Sequence, residues 1–571
     1  MKNSEMKISK LLMFCGLLLA TFFTVSIYAQ EGPRPGGRGG PDNGPNGGGP
    51  GIGGQNPRVP NNPGQGRQQG NPNDNIENAQ ENLQALITES ELTPVNSQNF
   101  NLPSINDPKA QLGKLLFFAK NLGGEQSTAC ASCHHPMLGG GDNLSLPVGV
   151  AAVNEFEQSS HDLLAFGRFN GDALNNLPSV PRNSPTIFNL GFNTRGLFWD
   201  SRVESRRGGV ILTPDSPVDE QGRRLRDPNL PQGTTLAAAQ AMFPVTSPVE
   251  MRGKFVADSN NQDLRAALTN RFNNTDNEFS SDWPSLFSQA YGDDDVTFNR
   301  ISDAIGEYER SMVFINNPWK DYLDGNDNAL TQEQKAGAIL FFGGRQEGGA
   351  GCAGCHRGPT LSSDRHHLVA YPQFGPGKGN DSGSNTSNDF GRENVNNNED
   401  QRYHFRAPTL LNIAVTAPYG HTGAYQTLEE VIGHYNNPEE AINRLFSAQD
   451  GIALNDDSAP FCQLPQIQGL MQKNNQSCQS LYPDAYENSI AVVNHLQQAR
   501  DGDVEARSAL RRRRNLSPTQ IAHLASFMRA LTDPCVLNRE CLAPWIVEES
   551  DRASFPDSMP LVAHDKDGSR L

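Results

Sequence analysis

The stretch Cys130-Ala131-Ser132-Cys133-His134 is a C-x-x-C-H pentapeptide, and it recurs as Cys352-Ala353-Gly354-Cys355-His356. Two thiols at this spacing can add to the two vinyl groups of one porphyrin, and the adjacent imidazole then falls under the iron as its proximal ligand. With 9 Cys and 12 His in 571 residues, independent draws would supply roughly 0.003 such pentapeptides. A disulfide or half of a zinc site is the competing use of such a pair. Zinc would need a second Cys or His pair nearby, and only His366-His367 offers one. The sequence therefore predicts two covalently bound c-type haems, with His134 and His356 as iron ligands.

Upstream of each motif the chain repeats itself. Gly113-Lys-Leu-Leu-Phe-Phe118 precedes the first, and Gly337-Ala-Ile-Leu-Phe-Phe342 the second. Each apolar cluster closes an amphipathic helix, with Leu112, Leu115, Leu116 and Phe117 at helical spacing in the first. Thr331 and Gln334 suggest a capping box at the start of the second. The expected fold is mostly α: two cytochrome c-like helical domains, one haem apiece, plus loop-rich insertions. Their expected spans are 78–320 and 321–533, with an insertion over 438–515 and a C-terminal extension over 534–571.

The beginning of the chain predicts export. Lys2, Lys7 and Lys10 precede a mostly apolar run from Leu11 to Val25, and Ser26-Ile27-Tyr28-Ala29 offers a cleavage site, so 1–29 reads as a signal peptide. Residues 30–77 are Gly, Pro, Asn and Gln with scattered Arg, a composition that buries no core and reads as a flexible linker. The formal net charge is −17. That balance argues against nucleic acid as a partner and suits a basic electron-transfer protein.

Further stretches stand out: Arg182-Asn183-Ser184-Pro185, Phe198-Trp199-Asp200-Ser201-Arg202 and Pro248-Val249-Glu250-Met251 between the haem motifs, then Phe405-Arg-Ala-Pro-Thr-Leu410 and Thr416-Ala-Pro-Tyr-Gly-His-Thr-Gly423 after the second. In this order they resemble the bacterial di-haem cytochrome c peroxidase and MauG superfamily, over roughly 110–533. The resemblance implies that the haem on His134 is peroxidatic, with an open side where hydrogen peroxide binds. It implies Glu250 as the carboxylate of that pocket, with Gln240 and Pro244 beside it; a carboxylate can carry the proton that O–O cleavage requires. Trp199 matches the indole between the haems. Asn183, Thr416 and Pro418 match positions that hold a structural calcium, an ion that accepts such oxygen ligands.

Two departures from the peroxidase pattern matter. Family peroxidases often carry a distal His in the loop after the first haem motif; the equivalent position falls near Val150, within Leu146-Pro-Val-Gly-Val-Ala-Ala152, which has no His, and His161 is the nearest candidate. Where many members place a distal Met on the second haem, counting from His421 leads to Tyr435, as in MauG-like members, with His434 as an alternative ligand. A phenolate favours more oxidised iron than a thioether does. The resemblance thus implies an oxidoreductase acting on hydrogen peroxide. Its counterpart is a small redox protein (cytochrome c or cupredoxin) or, in a MauG-like enzyme, a protein substrate with aromatic side chains. A di-haem electron carrier without catalysis is the third reading.

His135, beside the ligand, reads as a surface residue pointing away. Gly375 to Gln401, rich in Asn, Gly and Asp, reads as a long surface loop. Cys462, Cys478, Cys535 and Cys541 suggest two disulfides in an oxidising compartment, most simply 462–478 and 535–541, with two other connectivities open. Arg511 to Arg514 read as the cationic end of a helical stretch, and Ser517-Pro518 as the start of a closing helix.

Overall fold

The computed structural model describes residues 78–154, 162–171, 174–273, 282–378, 387–447, 457–511 and 515–571. The expected signal peptide and linker, His161 and Arg512 to Arg514 lie outside the described residues. Those described fall in one compact unit, 68–571. They form helices joined by irregular segments, with strands limited to short pieces, in agreement with the mostly helical fold.

The helices that position the site are α1 (Ala79–Glu89), α2 (Pro108–Phe118), α3 (Leu236–Ala241), α4 (Phe298–Arg310), α5 (Gln332–Phe342), α6 (Leu428–Asn436), α7 (Ala485–Asp501) and α8 (Pro518–Arg529). Their starts follow from local chemistry. Pro108 opens α2, where a missing N–H costs nothing. Thr331 and Gln334 make the expected capping box on α5, Thr427 and Glu430 another on α6, and Ser517 with Gln520 a third on α8, followed by Pro518.

The sequence repeat has a packing cause. Helix α2 crosses α4 so closely that a Cβ on Gly113 would lie 1.9 Å from the Ala304 carbonyl oxygen. Helix α5 crosses α8 in the same way: a Cβ on Gly337 would lie 2.0 Å from the His523 oxygen. Each glycine thus lets one helix pair approach backbone to backbone, while Leu112, Leu116, Phe117 and Phe118 on α2, and Leu340 and Phe341 on α5, are buried. Leu115 is half-buried.

Two hydrophobic cores result. One gathers α2, α4 and the segments between them; the other gathers α5, α6, α8 and the helices of 438–501. The ends of the chain cross between them. Leu83 of α1 is buried in the second core, whereas Val536, Leu542, Ile546 and Leu561 return to the first. Disulfides join Cys462 to Cys478 and Cys535 to Cys541, the simplest of the expected pairings.

Three expectations are corrected. Helix α7 ends at Asp501, where Gly502 takes a left-handed conformation, φ 85°. Arg511 therefore lies well past the end of that helix. His135 is buried, 1% exposed, because the turn Pro136–Leu138 folds back over it and its Nδ1 accepts from Met137 N at 3.3 Å. The segment 375–401 is not merely a surface loop: Asp389 and Arg392 within it are buried charged anchors. Among the described residues no helix is long and apolar enough to cross a membrane.

Candidate functional site

Each C-x-x-C-H motif forms a single helical turn, Cys130–Ser132 and Cys352–Gly354. His134 N donates to Cys130 O at 3.1 Å and His356 N to Cys352 O at 3.0 Å. That turn brings both thiols and the imidazole of each motif to one crevice. His134 Nδ1 lies 3.2 Å from Gly140 O, and His356 Nδ1 lies 3.2 Å from Leu361 O. A carbonyl accepts, so each Nδ1 carries the proton and each Nε2 keeps its lone pair for a metal. The four motif cysteines form no disulfide. Burial pushes the Cys130 thiol up to about 12, which keeps it a neutral thiol rather than a metal-ready thiolate. These features fit a covalently attached porphyrin with an axial imidazole.

The first crevice is lined by Cys130, Cys133, His134, Trp199, Arg202, Gln240, Pro244 and Glu250 among others. The chain from 235 to 252 makes three short turns in succession: α3, Pro244–Thr246 and Pro248–Arg252. They bring Gln240, Pro244 and Glu250 to one wall. Ser247 Oγ accepts from Glu250 N at 3.3 Å and fixes the last turn. The Glu250 side chain is 26% exposed, and its Oε1 lies 4.0 Å from Arg202. The loop through Val150 packs directly on this wall. Val150 N donates to Val249 O at 3.2 Å, and a Cβ on Gly149 would lie 2.1 Å from that same oxygen. Arg168, buried on the strand Arg168–Asn170, donates to Val148 O at 3.0 Å and Gly149 O at 3.2 Å, pinning the loop. No histidine stands in it.

The second and larger crevice is lined by Cys352, Cys355, His356, Tyr371, Phe405, His421 and Tyr435 among others. His421 stacks on Phe405 at 3.8 Å between ring centroids. Both His421 ring nitrogens are buried without a hydrogen-bond partner, a demand that an occupant of the crevice would meet. His434, one residue before Tyr435 on α6, is fully committed elsewhere. Tyr425 Oη donates to its Nδ1 at 2.8 Å and its Nε2 donates to Val369 O at 2.8 Å. Tyr435 lines the crevice; its hydroxyl is hydrogen-bonded to Tyr371.

Trp199 borders both crevices, and its Nε1 donates to Asn183 O at 2.8 Å. Its turn is strained, with Phe198 at φ 65° and Ser201 at φ 52°. Segments from the second half of the chain hold it. Arg392 donates to Asp200 O and Ser201 O, both at 2.8 Å, and Arg406 N to Trp199 O at 2.8 Å. Arg182 bridges Asp200 (2.6 Å) and Asp389 (2.5 Å). Burial alone would raise the Asp200 carboxyl, but the Arg182 and Arg202 guanidiniums outweigh it and hold that carboxyl well below the usual range. Arg182→Met is expected to destabilise the fold by about 3–5 kcal/mol, because it strands two buried carboxylates; denaturant unfolding measures it. The sign with pH follows from the depressed carboxyl. Its contribution is complete above about pH 4 and fades as pH falls through the lower folded value, so the gap between wild type and variant should narrow in acid.

Asn183, Thr416 and Pro418 come together around a separate small cavity. Asn183 Nδ2 is spent on Leu144 O (2.8 Å) and Ser145 O (3.2 Å), which leaves its oxygen to offer. Asp142 lines the same cavity, with Oδ2 buried and unpartnered. Burial raises its carboxyl to about 7. An all-oxygen set that includes a buried carboxylate fits a hard cation such as calcium. Asp142 was not legible as a ligand, nor was Lys378, which reaches the first crevice from the loop after the second motif. Arg202, then burial, lowers the Lys378 amine to about 8.

The chain is similar to several known proteins. Residues 107–328 match the family described as di-haem cytochrome c peroxidase. A cytochrome c551 peroxidase of Nitrosomonas europaea is 27% identical over 57% of this chain and 72% of its own length. The methylamine utilization protein MauG of Methylophilus methylotrophus is 26% identical over 60% of this chain and 76% of its own. A solved MauG-like protein associated with microbial copper homeostasis aligns over 80% of this chain and 97% of its own, at 20% identity and a TM-score of 0.46. Residues 107–328 thus match the di-haem cytochrome c peroxidase family, and the chain is similar over more than half its length to cytochrome c peroxidases and to MauG.

Proposed function

We propose that the chain is an exported di-haem oxidoreductase in which hydrogen peroxide is cleaved in the first crevice and electrons pass by way of Trp199 and the second. Bound there, the haems supply irons that exchange electrons and, at an open position, take peroxide. Cys130, Cys133 and His134 would hold one, and Cys352, Cys355 and His356 the other, with Tyr435 as the second ligand of the latter. Glu250 is the proton carrier, with Gln240 and Pro244 shaping the wall beside it, and Trp199 is the bridge. Asn183, Thr416, Pro418 and Asp142 would hold a calcium.

The observation that carries this reading is the wall of the first crevice. Glu250 faces the same space as His134, and the loop that could have brought a competing histidine carries none and is pinned on Val249. Among the described residues His134 is the one histidine lining this crevice, so on this reading the peroxide position is open without prior reduction. The oxidised protein as isolated is expected to give a high-spin ferric signal by electron paramagnetic resonance, from the haem on His134. Two purely low-spin haems would overturn the assignment. MauG-like oxidation of aromatic side chains on a partner protein is the second reading, favoured by Tyr435.

A further inference from the structure

Only the second haem motif presents its attachment turn to solvent. Ala131 and Ser132 of the first are 0% and 1% exposed. Gly354 of the second is exposed, and a Cβ built on it meets nothing within 4 Å. Five arginines stand around this opening, all exposed: Arg345, Arg357, Arg365, Arg507 and Arg511. Their grouping has a structural cause. Cys355 Sγ lies 3.6 Å from His367 Nδ1, and His367 feels the charges of both Arg365 and Arg357. The segment carrying Arg507 and Arg511 runs alongside: Leu368 bridges Ala509, and Leu510 N donates to Leu368 O at 2.8 Å. Arg345 and Arg511 both line the second crevice.

The segments 345–367 and 507–511 carry these five arginines against two carboxylates, Glu347 and Asp364. Asp364 lies 3.5 Å from Arg406, so its charge is met from within. This cationic rim sits on a chain of net charge −17. Such a pattern selects by sign twice. An acidic protein is repelled by most of the surface and drawn to the rim, whereas a basic one is drawn elsewhere.

We infer that the arginine rim around Gly354 is the docking face for an acidic redox protein that exchanges electrons through the exposed edge of the second motif. The inference rests on the second crevice being a haem site, and it reverses the basic partner that net charge alone suggested. One electron crosses between the partner's metal centre and the second haem per encounter. No atom is transferred.

The test uses the holoprotein with two reduced probes, an acidic plastocyanin and a basic mitochondrial cytochrome c. Association is followed at ionic strengths of about 10 mM and about 150 mM, where the Debye length is roughly 30 Å and 8 Å. The variant combines Arg357→Gln, Arg365→Gln and Arg507→Gln, at positions that do not line the crevice. The acidic probe is expected to associate about tenfold faster with wild type than with the variant at low salt, and the difference should collapse at high salt. The basic probe should not distinguish the two proteins. An acidic probe indifferent to the three arginines, or a basic probe that loses association on their removal, would overturn the docking face. Mass spectrometry of the proteolytic peptide carrying Cys352 and Cys355 separates the two failures: absence of covalently bound haem on it would bring down the crevice assignment and the docking face with it.

Discussion

Glu250→Gln is expected to slow peroxide cleavage by about 10²–10⁴-fold, the usual contribution of a positioned acid–base group, while both haems remain attached. The expectation follows from geometry and proton count. Heterolysis of the O–O bond needs a proton on the departing oxygen, taken from the other oxygen of the same molecule. Glu250 is the carboxylate on the Gln240–Pro244 wall of the first crevice, held by Ser247 and within 4.0 Å of Arg202. Glutamine keeps the shape but cannot give and take a proton. The loss should appear in the rate of peroxide reaction under single-turnover conditions, with unchanged haem content and unchanged unfolding midpoint. A variant that reacts within a few-fold of wild type would remove Glu250 from the proton path. Arg202→Gln makes a useful contrast, because it removes the neighbouring cation and leaves the carboxylate in place.

What was legible in the sequence was what lies within a few residues of itself. The two pentapeptides, the capping box at Thr331 and Gln334, and the Ser517-Pro518 start depend only on local spacing, and all three recur in the structure. Gly113 and Gly337 were visible as a repeat, but their cause, a helix crossing at backbone contact, involves Ala304 and His523 and leaves no local mark. Arg182 and Asp389 are separated by 207 residues, so no periodicity or motif joins them. The same holds for Lys378 in the first crevice and Asp142 beside Thr416. Arg511 was misread although a signal was present: Gly502 is a common helix terminator, and the run of arginines beyond it drew the helix too far. His135 was misread because alternation past the ligand was taken to mean outward, whereas a proline-led turn folds over it.

If Tyr435 ligates the second haem, as proposed, the residue at this position decides where the oxidising equivalents go. Cleaving peroxide removes two electrons from the protein. A methionine at 435 would let the second haem rest reduced and give up one of them, since Met ligation raises its potential. A tyrosine oxygen favours the oxidised form, so the electron would come instead from further oxidation of that iron, from Trp199 or from a bound substrate. Of the two candidates on α6, His434 has both ring nitrogens engaged, by Tyr425 and Val369, and Tyr435 alone lines the crevice with His356. Its hydrogen bond from Tyr371 can stabilise a phenolate, and the Tyr371 ring stacked on His434 at 4.7 Å is held in place to make it. Tyr435→Met is therefore expected to keep both haems, raise the midpoint potential of the second, and abolish the oxidised state that the fully ferric protein forms on adding peroxide. Tyr371→Phe should move the potential the opposite way and by less, because without the donated hydrogen bond the tyrosine oxygen carries more charge and favours the oxidised form more strongly. Redox titration and the spectrum after peroxide addition read both effects. If Tyr435→Met leaves potential and spectrum as they were, the tyrosine is a packing residue of α6, and a peroxidase fed by an external donor becomes the better account of the chain.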